Sequence, residues 1–173
     1  MFRAMIIDAI RGDPAWKGGE YDMPPAQGLL AANYAEWMMT SSPLQLHKNN
    51  PTREKADAAV EALRKRALTR DANDMLYWYE SSMDYNPSPL LETINAPLYA
   101  VNSADDEVNP PELGILDREI KRVRRGRYIL IPTSDETRGH GTHSRAVVWK
   151  QHLVELLKES ESGRGAEFST STP

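Results

Sequence analysis

Pro97-Leu98-Tyr99-Ala100-Val101-Asn102, running into Ser103-Ala104-Asp105-Asp106-Glu107-Val108-Asn109, is the stretch that decides the fold. A short, mainly apolar run that ends in an acidic loop reads as a buried strand with polar groups at its far end. Pro110 and Pro111 then open a helix carrying Leu113, Leu116, Ile120 and Val123. Tyr128-Ile129-Leu130-Ile131 reads as a second buried strand. A polar loop over 133–142 leads to a last helix carrying Val148, Trp149, His152, Leu153, Leu156 and Leu157. Strand, helix, strand, helix is the rhythm of a parallel sheet flanked by helices, so the fold class is α/β.

Upstream of this stretch the pattern is helical. Phe2, Met5, Ile6, Ala9 and Ile10 recur at helical spacing over 2–11, and Gly12, Asp13 and Pro14 stop the run. Residues 15–24 read as a loop. A second helix follows Pro25 with Leu29, Leu30, Ala32, Trp37 and Met38, and Ser41-Ser42-Pro43 ends it. Asn50-Pro51 reads as a helix start, a capping side chain followed by a proline at the first position. Ala56, Ala59, Val60, Leu63 and Ala67 form the apolar stripe of that helix, and Asp71 is expected to cap the next, through Met75, Leu76, Tyr79 and Met83.

The composition excludes several classes. Among 173 residues there is no cysteine, which rules out disulfides, thiolate metal sites and a cysteine nucleophile, and fits a reducing compartment such as the cytoplasm. A net charge of −4 leaves no electrostatic footprint for nucleic acid. No stretch approaches the roughly 20 apolar residues of a membrane helix. Asp8, Arg11 and Asp13 interrupt the apolar residues near the N-terminus, so no secretory signal is expected there. Met1 leads straight into an amphipathic helix, the appearance of a chain that begins inside a domain.

The chemistry gathers in the two loops that follow the strands, at the sheet edge where α/β sites lie. One holds Asp105, Asp106 and Glu107; the other holds His140 and His143 in Arg138-Gly139-His140-Gly141-Thr142-His143. An acid after one strand and a histidine after the next suit the late part of the chain order Ser…Asp…His. A neutral imidazole takes the proton of an attacking serine hydroxyl, and a carboxylate holds the other ring N–H. A metal reading of His140 and His143 lacks a third ligand at zinc-like spacing, and the acidic loop lacks the ligand alternation of a calcium site. No metal and no cofactor are expected.

Several blocks, in order, resemble the homoserine O-acetyltransferase branch of the α/β-hydrolase fold: Ala9-Ile10, Asp13-Pro14-Ala15-Trp16-Lys17-Gly18-Gly19-Glu20-Tyr21, Asp71-Ala72-Asn73-Asp74-Met75-Leu76-Tyr77, Met83-Asp84-Tyr85, Asn102 to Pro111, and Gly139-His140. The resemblance covers residues 1–158. It implies a Ser-Asp-His acyl-transfer site with small-molecule acyl donor and acceptor. Its acid stands four positions before a proline, which selects Asp106, and its histidine follows a glycine, which selects His140, 34 positions on. Asp105 is then expected to point elsewhere and to matter far less. The resemblance divides the chain into a core helix over 1–13, a helical lid over 14–85 and the C-terminal part of the hydrolase core over 86–159; residues 160–173, where the composition falls to Ser, Gly, Thr and charge, are expected to be a disordered tail.

The chain departs from the pattern at two places. No serine stands in a G-x-S-x-G frame, so the nucleophile is expected outside these residues and the chain alone is expected to be inactive. The acetyltransferases carry an aspartate directly after the histidine to hold the amino group of homoserine, where this chain has Gly141. That favours an esterase or another acyltransferase. The competing expectation is a non-enzymatic α/β module that binds a partner. Two apolar strands without the rest of a sheet also lead to an expectation of self-association, and hence of a homo-oligomer.

The remaining features have structural readings. His143 flanks the last helix, His152 is expected to be a satisfied core histidine, and His47 an exposed loop residue. Arg118, Lys121, Arg122, Arg124, Arg125 and Arg127 read as a solvated helix face. Trp16, Tyr21, Trp37, Tyr77, Trp78 and Tyr85 are expected to serve mostly as core of the helical module.

Overall fold

The computed structural model describes residues 1–169, with the side chains beyond Glu161 left out of the description. The chain divides between Tyr85 and Asn86 into two compact units.

The first unit is helical throughout. It runs α1 (Phe2–Arg11), α2 (Ala26–Thr40), α3 (Pro43–Asn49), α4 (Arg53–Ala67) and α5 (Ala72–Glu80), with a 3-10 turn over Pro14–Gly19. Ile6, Ile7 and Ile10 of α1, Leu29, Ala32 and Met39 of α2, and Ala72, Met75 and Leu76 of α5 form one buried cluster. α1 and α2 cross at Gly28, where a Cβ would stand 2.7 Å from the Ala9 carbonyl oxygen. Only a residue without a side chain permits that approach. Asp13 fixes the crossing: its carboxylate accepts from Gly28 N–H at 2.8 Å and Ala15 N–H at 2.9 Å, and these bonds hold its pKa below the usual carboxylate value. Tyr21 ties the 3-10 segment to the start of α5, donating to Asp71 Oδ2 at 2.7 Å and accepting from Ala72 N–H at 2.9 Å.

Asp71 caps α5 as expected, its side chain accepting from Asp74 N–H. Three expectations for this unit need correction. Thr52, rather than Asn50, caps α4, because its hydroxyl faces Lys55 N–H; Asn50 closes α3 instead. α3 forms where Ser41-Ser42-Pro43 is expected only to end α2 and His47 to lie in a loop, because Pro43 also pre-sets the backbone for a new first turn. His47 is therefore helical, though exposed. Tyr77, Trp78 and Tyr85 lie on the surface, with Trp78 at 75% exposure, so only some of the aromatics serve the core.

In the second unit, β1 (Leu98–Ser103) and β2 (Gly126–Ile131) pair in parallel, Leu98 opposite Gly126 through Ser103 opposite Ile131. The crossover between them holds the short α6 (Ile115–Glu119), and α7 (Ala146–Ser169) follows β2. α7 is held to the strands by polar contacts: Tyr99 donates to Glu159 at 2.9 Å, and Arg125 and Arg127 pair with Glu159 and Glu155. The basic run is thus largely matched to acids on its own unit, with Arg122 bound to Glu92, Glu119 and the Ser88 carbonyl. The strands are less enclosed than their apolar sequences suggest. Val101 is 38% and Leu130 43% exposed, because two strands supply too few neighbours to cover both faces. α7 also continues past Glu159, so residues 160–169, expected as disordered tail, extend the helix; residues 170–173 of that expectation lie outside the described residues. Once a helix is under way each further residue adds a hydrogen bond, which lets it outrun its favourable composition. Among the described residues no helix is long and apolar enough to cross a membrane.

Candidate active site

The carboxyl ends of the parallel strands place the two polar loops side by side. Ser103 is the last residue of β1 and Ile131 the last of β2, and their pairing carries directly into the loops: Ala104 N–H donates to the Ile131 carbonyl at 2.9 Å. The acidic loop is a tight turn organised by Asp106. Oδ1 of Asp106 accepts from Val108 N–H at 2.8 Å and Asn109 N–H at 3.2 Å, and Asn109 Nδ2 donates to Oδ2 at 3.4 Å. Asn102 holds the far end of the turn by donating to the Asn109 carbonyl at 2.7 Å. Asp106 is 5% exposed, so its lone pairs are committed by protein groups rather than water.

His140 meets this carboxylate: Nδ1 lies 3.1 Å from Asp106 Oδ2. A carboxylate only accepts, so the proton between them belongs to the imidazole Nδ1, which leaves the Nε2 lone pair available to take a proton from elsewhere. The imidazole is about one-third exposed where the carboxylate is buried. Buried acid, partly exposed imidazole and a free outer nitrogen are the polarity required of an orienting acid behind a general base.

The structure therefore brings together the two residues singled out by sequence, Asp106 and His140. It keeps the alternatives apart from that contact. His143 Nδ1 donates to the His140 carbonyl at 2.6 Å, and the two rings stand 5.3 Å apart, tilted rather than converging on a shared point. Among the described residues no cluster of His, Asp and Glu could hold a metal ion. His152 in α7 pairs its Nε2 with Gln151 Nε2 at 3.2 Å but leaves Nδ1, 3.8 Å from Glu155, without a hydrogen bond, so it is only in part the satisfied core histidine its position suggests. Asp105, expected to point elsewhere, reaches the histidine loop: Oδ2 accepts from Gly139 N–H at 3.0 Å and lies 3.0 Å from Thr137 Oγ1. Ser103, Thr137 and Thr142 were not legible as site residues. They are buried hydroxyls around Gly139; Thr137 and Thr142 bond within their own loop, and the adjacency of the two loops adds the contacts to Asp105 and Ser103.

A cleft of about 380 Å³ opens over the pair, with Val101, Ile131, His143 and Trp149 among its walls. Asp106 and His140 both line it. A Cβ at Gly141 would meet only Arg138 Cβ, at 3.5 Å, an ordinary contact. Glycine at that position is therefore not imposed by packing.

No protein-family model matches the chain, and no curated protein matches it by sequence. Solved structures do. A homoserine O-acetyltransferase from Bacillus anthracis superposes with a TM-score of 0.73 at 18% identity, over 90% of this chain and 48% of that one. The acetyl esterase MekB gives 0.65 at 23% identity, over 91% and 50%. An acetylester hydrolase from Corynebacterium glutamicum gives 0.70 at 16% identity, over 91% and 49%. The chain spans about half the length of the structures it matches, and at these identities the likeness is one of fold. Two parallel strands, their flanking helices and a preceding helical unit have the fold of the C-terminal part of the α/β-hydrolases typified by homoserine O-acetyltransferase and its acetyl-esterase relatives.

Proposed function

We propose that this chain carries the acid and base of an acyl-transfer site, with His140 as general base and Asp106 as the group that orients it. The observation that supports this most is the Nδ1–Oδ2 contact of 3.1 Å between a buried carboxylate and a partly exposed imidazole. In the mechanism this implies, Nε2 of His140 removes the proton of a serine hydroxyl as the oxygen attacks an acyl carbon. The same nitrogen then returns the proton to the leaving group. Asp106 keeps the proton on Nδ1 and stabilises the imidazolium between the two transfers.

The serine and the oxyanion hole would be supplied by residues outside these 173, and the acyl donor and acceptor would be small molecules. None of the chain's serines has the glycine frame of a nucleophile elbow. Without nucleophile and oxyanion donors, most transition-state stabilisation is lost, so the 173-residue chain alone is expected to be inactive. The acceptor is proposed to be water or an alcohol rather than homoserine. Gly141 offers no carboxylate for an ammonium group, although a side chain would fit there.

The test is p-nitrophenyl acetate turnover and fluorophosphonate labelling in two proteins: the 173-residue chain, and the product of the reading frame extended upstream. Labelling and turnover confined to the longer protein, and lost in its His140→Ala variant, are expected. Labelling of the short chain with turnover above its own His140→Ala control would contradict the proposal.

A further inference from the structure

Gly139 stands immediately before His140 with φ of 59°, in the left-handed region. Glycine enters that region freely and leaves it as freely, so its conformation must be held from outside. Both of its backbone polar groups are held, from β1 and the turn that follows. Its N–H donates to Asp105 Oδ2 at 3.0 Å. Its carbonyl accepts from Ser103 Oγ at 3.1 Å and, within its own loop, from Thr142 N–H at 3.0 Å. Ser103 is in turn 3.2 Å from Thr142 Oγ1, which accepts from Arg138 N–H at 2.8 Å. Thr137, fully buried, stands against Asp105 on the other flank.

We propose that Asp105 and Ser103 are positioning residues, which grip the two peptide groups flanking the Gly139 Cα and thereby set His140 against Asp106. This rests on the acid–base reading above and adds the parts that make its geometry durable. The leverage is short. Adjacent Cα atoms are about 3.8 Å apart, so a shift of Gly139 passes almost undiminished to His140. The Nδ1–Oδ2 contact already stands at 3.1 Å, and a few tenths of an ångström more would take it out of hydrogen-bond range. Asp105 therefore acts on His140 through the backbone while its neighbour Asp106 acts on the ring.

The experiment uses the 173-residue chain with 15N-labelled histidine. Long-range proton–nitrogen correlation spectra report which ring nitrogen of His140 carries the proton, at about pH 8.5, some two units above the ordinary imidazole pKa. Wild type is expected to hold the Nδ1–H tautomer by about tenfold or more, the preference a charge-assisted hydrogen bond confers. Asp105→Ala should reduce that preference at least severalfold, toward the Nε2–H form. Asp105→Asn keeps an acceptor for the Gly139 N–H and should restore most of it. Ser103→Ala removes the side-chain grip on the Gly139 carbonyl, leaves the Thr142 N–H bond to it, and should therefore give a smaller loss; it also serves if Asp105→Ala does not fold. A wild-type spectrum dominated by Nε2–H would overturn the acid–base reading itself. A wild-type Nδ1–H preference unchanged in folded Asp105→Ala, or unchanged in Ser103→Ala where that is the folded variant, would overturn the positioning role and leave the acid–base reading standing.

Discussion

Replacing Asp106 with asparagine separates what the carboxylate does for the loop from what it does for the histidine. Asparagine can keep its carbonyl oxygen where Oδ1 accepts from Val108 and Asn109 N–H, so the turn persists. Its amide nitrogen then falls where Oδ2 stood, 3.1 Å from His140 Nδ1 and 3.4 Å from Asn109 Nδ2. The new NH2 and Asn109 Nδ2, both donors, now face each other, and the new NH2 asks His140 Nδ1 to accept. The imidazole answers by moving its proton to Nε2, the nitrogen that should act as base. The fold should lose about 1 kcal/mol, one net hydrogen bond, as read from urea unfolding of the isolated chain. Turnover of an ester by the upstream-extended protein should fall by about four orders of magnitude, the loss known for a wrongly tautomerised triad, or about 5.5 kcal/mol of barrier. Loss of folding in Asp106→Asn would show that the carboxylate is structural first. A turnover loss below about tenfold in a folded variant would refute its orienting role.

Three further outcomes follow from the packing and charge. Gly28→Ala should destabilise the first unit by about 2 kcal/mol in urea unfolding, because the new methyl meets the Ala9 carbonyl at 2.7 Å and α1 must move off α2. Asp13 and Asp71 both have pKa values lowered in the folded chain, Asp13 first by the Gly28 N–H and Asp71 first by the Tyr21 hydroxyl. The stability they contribute is present above the ordinary carboxylate pKa and is lost as pH falls through the lowered values. The melting temperature should therefore drop on the acid side of about pH 4, and drop less in Asp71→Asn. The half-exposed apolar residues of β1 and β2 should drive self-association, visible as a light-scattering mass above the monomer that Val101→Lys with Leu130→Lys reduces.

Much of this was legible in the sequence, for definable reasons. The βαβα order showed because Leu98–Asn102 and Tyr128–Ile131 are short apolar runs bounded by proline and polar loops, signals that are local. Asp71 showed as a cap for the same reason. α3 and the cap of α4 were missed because Ser42-Pro43 and Asn50-Pro51-Thr52 can each end one helix or begin the next, and tertiary packing chooses. Asp106 and His140 emerged from the resemblance rather than from the loops alone, which held several acids and two histidines. Asp105 points away from the His140 ring, as expected, but its reach to Gly139 was not legible, for a geometric reason. Adjacent residues in a tight turn point apart, but the second loop lies close enough for both side chains to reach it, one at Gly139 and the other at His140. A linear sequence does not give the distance between two loops.

The central claim is that Asp106 and His140 serve one proton-transfer step. Its most direct test is a double-mutant cycle on turnover in the upstream-extended protein, with Asp106→Asn, His140→Ala and both together. Residues acting as a unit are non-additive, so the double variant should be no slower than the slower single one, within about threefold. Losses that multiply, or a cycle in which neither single change lowers turnover, would contradict it.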